Sequence, residues 1–484
     1  MTSASRLRRD LAWGGMLGAA MGLASLAASR PQALWLAAPV LLLALAWWAL
    51  NGATRWVVAF LAAAILLPPL PLPGGDAGPH PAILLAVLGV WAGAARLPGW
   101  RIRWTFLSIS LCFFFFALLA SVPLALLYSG WEVAAGSLAR VGLFGISVYV
   151  FFYLAYGPGR DIPPERLVRL LFWAGFASAA FACLDFYFQF PAPARFAEQY
   201  VWFSTDILRR AQGVFYEATT LGSFCVFLLV MLASIAALQL GSRLRLGKLW
   251  LAAAALVLLA GLIFSFSRSA IASLAVALAA LLWVERERFR TRRKLVRRGL
   301  LALALLAGVA ALIGRLFPEF LPAYFQRIWL SGEYLLSAPG VVLAPRLESW
   351  QFLWSYIAAH PWSVILGIGY KTLPYSQYLG RPVVADNMYL SLLVETGWTG
   401  FAALLLLNAA VLLTSYRQAA RSRAADAASR LRRLFGLWMF CFWCGQIVQM
   451  FSGDILTYWR LLPLYFSVLA LGLRLDEDSV SRSI

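Results

Sequence analysis

Charge is scarce along this chain: of 484 residues only 13% are Asp, Glu, Lys or Arg, while 62% are hydrophobic. An ordinary soluble domain carries about 25% charged residues, so that class is excluded. The apolar residues run on for close to twenty positions without alternating, which excludes a β-barrel and leaves membrane-spanning helices. The five cysteines, Cys112, Cys183, Cys225, Cys441 and Cys444, all fall inside apolar runs. Neither a disulfide framework nor a zinc site is therefore expected. Cys441-Phe-Trp-Cys444 has redox-motif spacing, but within a span it reads as two packing residues. There is also no Gly-x-x-x-x-Gly-Lys loop of the kind that cradles nucleotide phosphates.

What is present describes an all-α polytopic membrane protein of about 14 transmembrane helices. Apolar runs are expected to span near 11–29, 33–50, 57–71, 82–95, 105–127, 138–156, 169–189, 214–238, 249–266, 269–284, 299–316, 389–413, 434–451 and 455–473. Residues 1–484 read as a single integral membrane domain. The first run follows Arg6, Arg8 and Arg9 as a signal peptide would. With no convincing cleavage site and many spans behind it, it reads as an anchored helix. Between 317 and 388 the chain is moderately polar and rich in Gly and Pro, a long loop with short helices of its own. Such loops usually carry function.

The net charge of +20 invites a nucleic-acid reading, which the placement of the charges removes. Threading the spans puts 29 of the 41 basic residues on one side, including the clusters at 286–298 and 417–433. That side is the cytoplasm by the positive-inside rule, with both termini on it, and nucleic acid has no place in the account. The clusters also suit contact with anionic membrane lipids. The apolar stretch 250–284, as one helix of 35 residues, would be roughly 52 Å long against a hydrocarbon core of roughly 30 Å. Its flanks are both basic, so it must turn back near Ser265-Phe-Ser-Arg268-Ser.

Twelve basic residues are left on the outer side, among them Arg140, Arg210, Arg268, Arg346, Lys371 and Arg460. Any one of them can snorkel to headgroups. Arg210, Arg268 and Arg346 each open or close a loop on one face, which favours an anion site instead. Nearby acids have bland readings too: Glu217 as a partner for an arginine, Glu395 as a pairing residue, Asp386 as a helix N-cap. His360 reads as structural, and His80, in a Pro/Gly-rich turn, has no visible partner.

Several motifs occur in order. Arg210-Ala-Gln-Gly213-Val-Phe215 leads into a span, and Ser267-Arg268-Ser269-Ala270 marks the hairpin. His360-Pro361 and Gly367-Ile-Gly369 lie in the long loop, and Asn387-Met-Tyr389-Leu390 with Glu395-Thr-Gly397-Trp-Thr-Gly400 enters the next span. Together they resemble the O-antigen ligase and polymerase superfamily over roughly the C-terminal 280 residues.

The resemblance implies a metal-independent, cofactor-free, inverting glycosyltransferase of the bacterial inner membrane, with its active site on the periplasmic face. It would move an oligosaccharide from undecaprenyl diphosphate to a glycan hydroxyl, and a chain-length regulator is a further partner to look for. Carried over, Arg210 and Arg268 are the arginines that hold the lipid diphosphate, with Arg140 as a further candidate; Arg346 joins them from its place on the same face. Family ligases have a His before the Asn of the loop-end motif, where this chain has Asp386. A carboxylate can take the same proton, so Asp386, Arg210 and Arg268 are the expected catalytic residues. Arg140, Arg346, Glu217, Asn387, Tyr389 and Glu395 are the expected substrate-binding ones. The Asp favours a repeat-unit polymerase over a ligase to lipid A core, with protein O-oligosaccharyltransferase as another acceptor class. A lipid-linked glycan transporter is the alternative outside enzymes, although no internal repeat supports it.

Overall fold

The computed structural model describes residues 51–69, 79–192, 196–202, 207–286, 339–376, 378–421 and 427–480, with scattered positions near 44–48 and 308–337. The runs expected at 11–29, 33–50 and 299–316, and the basic stretch 287–298, lie outside the described residues but for isolated positions. Thirteen α-helices are described: α1 (Arg55–Leu66), α2 (Pro81–Ala94), α3 (Phe106–Ala120), α4 (Val122–Ala155), α5 (Pro164–Phe188), α6 (Ala218–Leu238), α7 (Lys248–Phe264), α8 (Arg268–Val284), α9 (Pro339–Ala359), α10 (Pro361–Leu366), α11 (Met388–Arg421), α12 (Ala427–Gln449) and α13 (Leu462–Val480). One small sheet interrupts the helical pattern, β1 (Tyr200–Trp202) antiparallel to β2 (Ile207–Arg209), with Tyr200 opposite Arg209. Among the described residues, α4, α5, α6 and α11 are long and apolar enough to cross a membrane, and α1, α2, α3, α7 and α8 are shorter apolar helices.

Three breaks shape these helices, two of them inside expected spans, each with a local cause. The run at 105–127 divides at Ser121, because Pro123 lacks an N–H and is tolerated only in the first turn of a new helix. Helix α4 is itself broken at Gly130, with φ 80° and ψ 176°, so 122–129 is a separate short piece. Helix α11 breaks at Gly397, with φ 66°. Only glycine takes such angles without a Cβ penalty. The hairpin expected near 265–269 is present between α7 and α8, with Phe266 at φ 51° in its turn.

The break in α11 is coupled to the long loop. It frees the carbonyls of Val394 and Glu395, which accept from the N–H groups of Ile368 (3.1 Å) and Gly369 (2.8 Å). A Cβ on Gly367 would stand 2.4 Å from the Glu395 carbonyl, and one on Gly397 2.4 Å from that of Ile365. The glycines of these two motifs thus let one backbone lie directly against the other. Above them Leu353, Ile368, Leu373, Val383, Leu390 and Val394 form a small core of their own, which seats the loop on the bundle.

Within the bundle, small residues and buried amides replace a water-driven core. A Cβ on Gly445 would meet the Ser273 carbonyl at 2.3 Å, so α12 and α8 touch backbone to backbone. Gln446 donates to Gln449 at 2.8 Å, and Ser223 and Tyr465 share a hydrogen bond at 3.2 Å.

Ion pairs and carbonyl contacts divide the molecule into two ends. At one, Arg243 meets Glu165 at 3.3 Å, Arg432 meets Asp476 at 3.0 Å, Arg433 meets Glu285, and Arg474 donates to the carbonyls of Arg160 and Ile162. These are the segments that the charge count groups together. At the other end Arg460, 6% exposed, donates to the carbonyls of Ala64, Val214 and Leu67 and rests over the Phe215 ring at 4.7 Å. It ties three segments together and is not a ligand-facing arginine. His80 does have partners: Nδ1 accepts from the Ala82 N–H at 3.1 Å and Nε2 reaches the Leu67 carbonyl at 2.8 Å. The bond accepted at Nδ1 requires the neutral ring, with its proton on Nε2, and burial with the Arg460 charge holds its pKa down to about 4.

Candidate functional site

The segment 207–217 is built around a buried carboxylate at the end of α5. Asp185 pairs with Arg209 at 3.4 Å and accepts from the N–H groups of Gln212 (3.1 Å) and Gly213 (2.9 Å). With Arg209 turned inward, the next residue, Arg210, is turned towards the cavity end. Its Nε donates to the Ser265 carbonyl at 2.8 Å, and the Ala211 N–H to that of Phe264 at 2.9 Å. The loop before α6 and the α7–α8 turn are therefore stitched together, which sets the turn that leads into Arg268 against Arg210, 58 positions earlier in the chain. Arg268 also lies within electrostatic reach of Arg346.

A cavity of about 590 Å³ opens at this end. Arg140, Arg210, Glu217, Arg346, Asp386 and Glu395 all line it, so six of the nine residues singled out in the sequence meet in one space. Arg346, from α9, donates through Nε to Asp386 Oδ2 at 3.2 Å. Arg140, from α4, donates to the Lys371 carbonyl (3.1 Å) and the Tyr375 hydroxyl (3.2 Å) and lies over the Tyr375 ring at 5.2 Å. Glu217 accepts from the hydroxyls of Thr219 (2.9 Å) and Thr220 (2.6 Å), and makes no ion pair to an arginine among the described residues. Glu395 accepts from the Leu373 N–H at 3.2 Å.

The remaining three stand apart from the lining. Arg268 sits at the start of α8 beside this end. Asn387 caps α11, its Oδ1 accepting from the Leu390 N–H at 3.1 Å. The capping role weighed for Asp386 thus belongs to its neighbour, while Asp386, at φ 45°, turns its carboxylate to Arg346. Tyr389 donates to the Ile447 carbonyl at 3.1 Å and packs on Phe451, away from the cavity. His360 stacks on Tyr356 in the loop core, the structural role expected of it.

Other lining residues carry no site assignment from the sequence. Lys371, grouped there only with the outer basic residues, forms an ion pair with Asp454, and both face the cavity with Tyr458. Asp454 lies between spans in a short Phe-Ser-Gly-Asp turn, and nothing in its local pattern points 83 residues back to Lys371. Asp476-Glu-Asp478, the one Asp-x-Asp spelling in the chain, belongs to the other end, where Asp476 pairs with Arg432.

Helices fit to span a bilayer, gathered around a polar cavity with four cations and four carboxylates on its wall, define a membrane protein with a charged site at one end of its bundle. Residues 253–405 match the family model described as O-Antigen ligase. That match supports the O-antigen ligase and polymerase superfamily, and with it a multi-pass enzyme of bacterial polysaccharide biosynthesis. It covers Arg268, Arg346, Asp386 and Glu395; Arg140, Arg210 and Asp454 join them only through folding. No curated protein matches the chain.

Proposed function

We propose that this protein is a polymerase-type inverting glycosyltransferase that moves an oligosaccharide from undecaprenyl diphosphate to a hydroxyl of a growing glycan. The observation that carries the reading is the meeting of Arg140, Arg210 and Arg346 with Asp386 in one cavity beside Arg268. In this reading about 14 spans thread the inner membrane, both termini are cytoplasmic, and the cavity opens to the periplasm. The basic end described above supports that orientation.

The acceptor oxygen attacks the anomeric carbon on the face opposite the diphosphate. The bond from that carbon to the phosphate oxygen breaks, and its electron pair leaves on the lipid diphosphate. Arg210, Arg268 and Arg346 stabilise the charge as it develops, so the step is written without a divalent ion. Asp386 accepts the hydroxyl proton. Arg346 engages Oδ2 of that carboxylate, which leaves Oδ1 for the acceptor. Aspartate in place of the ligases' histidine favours the polymerase branch.

The test is purified protein in lipid nanodiscs given undecaprenyl-diphosphate-linked oligosaccharide. Release of undecaprenyl diphosphate together with a ladder of longer glycans is expected. In sealed proteoliposomes of the same protein, movement of intact lipid-linked sugar across the bilayer without release would make the protein a transporter.

A further inference from the structure

The cavity is not uniform. Arg346 and Asp386 have side chains 36% and 45% exposed, whereas those of Lys371 and Asp454 are 11% and 14% exposed and Glu395 is 2% exposed. At the buried end, Arg140 and Lys371 are balanced by Asp454 and Glu395. Around the open end, Arg210 and Arg346, with Arg268 close by, exceed Asp386 and Glu217. An anionic diphosphate fits the second region, and an uncharged, hydrogen-bonding group fits the first.

Within the buried end, Glu395 is held in one pose. The Leu373 N–H fixes Oε1, and the Gly369 N–H fixes the Glu395 carbonyl. Oε2 is buried and has no partner among the described residues. The direct ion pair of Lys371 is with Asp454 rather than with Glu395. A buried carboxylate oxygen without a donor is costly, so a donor supplied from within the cavity stabilises it.

We infer that the buried end of the cavity is a sugar subsite in which Glu395 Oε2 accepts a hydrogen bond from one ring hydroxyl of the transferred glycan. Glu395 is then a specificity-determining residue, distinct from Asp386, which takes the reacting proton. Arg140, able to donate to ring oxygens, and Tyr375, an aromatic ring at the exposed rim, line the same cavity. The assignment rests on the glycan-transfer reading above.

Glu395→Gln keeps the shape and the acceptor for Leu373 while removing the charge, and Glu395→Leu removes the acceptor altogether. With lipid-linked oligosaccharide as substrate, KM is expected to rise about tenfold in the Gln variant and more in the Leu variant, with kcat in the Gln variant within about threefold. A second readout needs no turnover: the lipid-free oligosaccharide, released from the same lipid by mild acid, should raise the melting temperature of the wild type and not of the Gln variant. A merely structural Glu395 would leave both KM and the sugar-induced shift as in the wild type, which overturns the subsite. A thousandfold fall in kcat at unchanged KM would make Glu395 the proton acceptor and overturn it as well. If the wild type releases no undecaprenyl diphosphate, the transfer reading fails. The sugar-induced shift and its loss in the Gln variant still decide the subsite in that case.

Discussion

Exchanging Asp386 for Asn removes one negative charge and little else. The residue holds a left-handed backbone, φ 45°, that Asn tolerates about as well as Asp. The start of α11 is untouched, since Asn387 supplies the cap. The lost ion pair to Arg346 joins two side chains 36% and 45% exposed, so its contribution is about 0.2–1 kcal/mol. Folded yield should therefore stay near that of the wild type. Donor binding should hold within about threefold, because Arg210 and Arg268 are unchanged. Loss of a general base costs about 10²–10⁴ in rate, or roughly 3–5 kcal/mol of barrier. The assay measures undecaprenyl diphosphate release, glycan ladder length and donor binding on the same preparation, with Asn387→Ala alongside. That control loses the cap, about 1 kcal/mol, and is expected to keep the rate within an order of magnitude. An Asp386→Asn variant that builds polymer at more than about a third of the wild-type rate at neutral pH would refute the assignment of the proton to Asp386.

Arg210→Lys and Arg268→Lys should each lose most transfer activity while inserting normally, because an ammonium cannot reproduce the planar fork; wild-type rates would reduce both to headgroup contacts. Gly397→Ala places a Cβ against the Ile365 carbonyl at a positive φ, so stability should drop by about 2 kcal/mol or more, with activity falling as Glu395 shifts; unchanged melting would contradict the close approach. His80 titrates at about 4 in the folded protein against 6.5 unfolded, so stability present above pH 6.5 is lost as pH falls towards 4, by at most about 3 kcal/mol. Thermal unfolding across that range should lose this slope in His80→Asn, and an identical slope would remove His80 as its source. Glu333→Cys, with native cysteines replaced, should be labelled by an impermeant maleimide in cells whose outer membrane alone is permeabilised, and labelling only after opening the inner membrane would reverse the topology.

Composition and hydrophobic runs alone decide that this chain is a helical membrane protein, because continuous apolar stretches have few other places to be. The basic asymmetry along the sequence likewise foretells which segments share an end: Arg243, Glu285, Arg432 and Arg474 make their contacts at the end where charge counting groups them. The hairpin at 265–268 is legible too, since 35 apolar residues cannot cross once. Break points are less so. Gly397 looks like any glycine in a span, and what makes it a break is the loop backbone that takes up the freed carbonyls. The cavity belongs to tertiary structure almost entirely. Arg210 is aimed by the buried Asp185–Arg209 pair, Lys371 finds Asp454 across 83 residues, and Asp386 is turned to Arg346 because Asn387 caps the helix. Periodicity reports which face of a helix is apolar, but a polar group's partner is chosen by where other helices end, and that is settled only when the bundle closes.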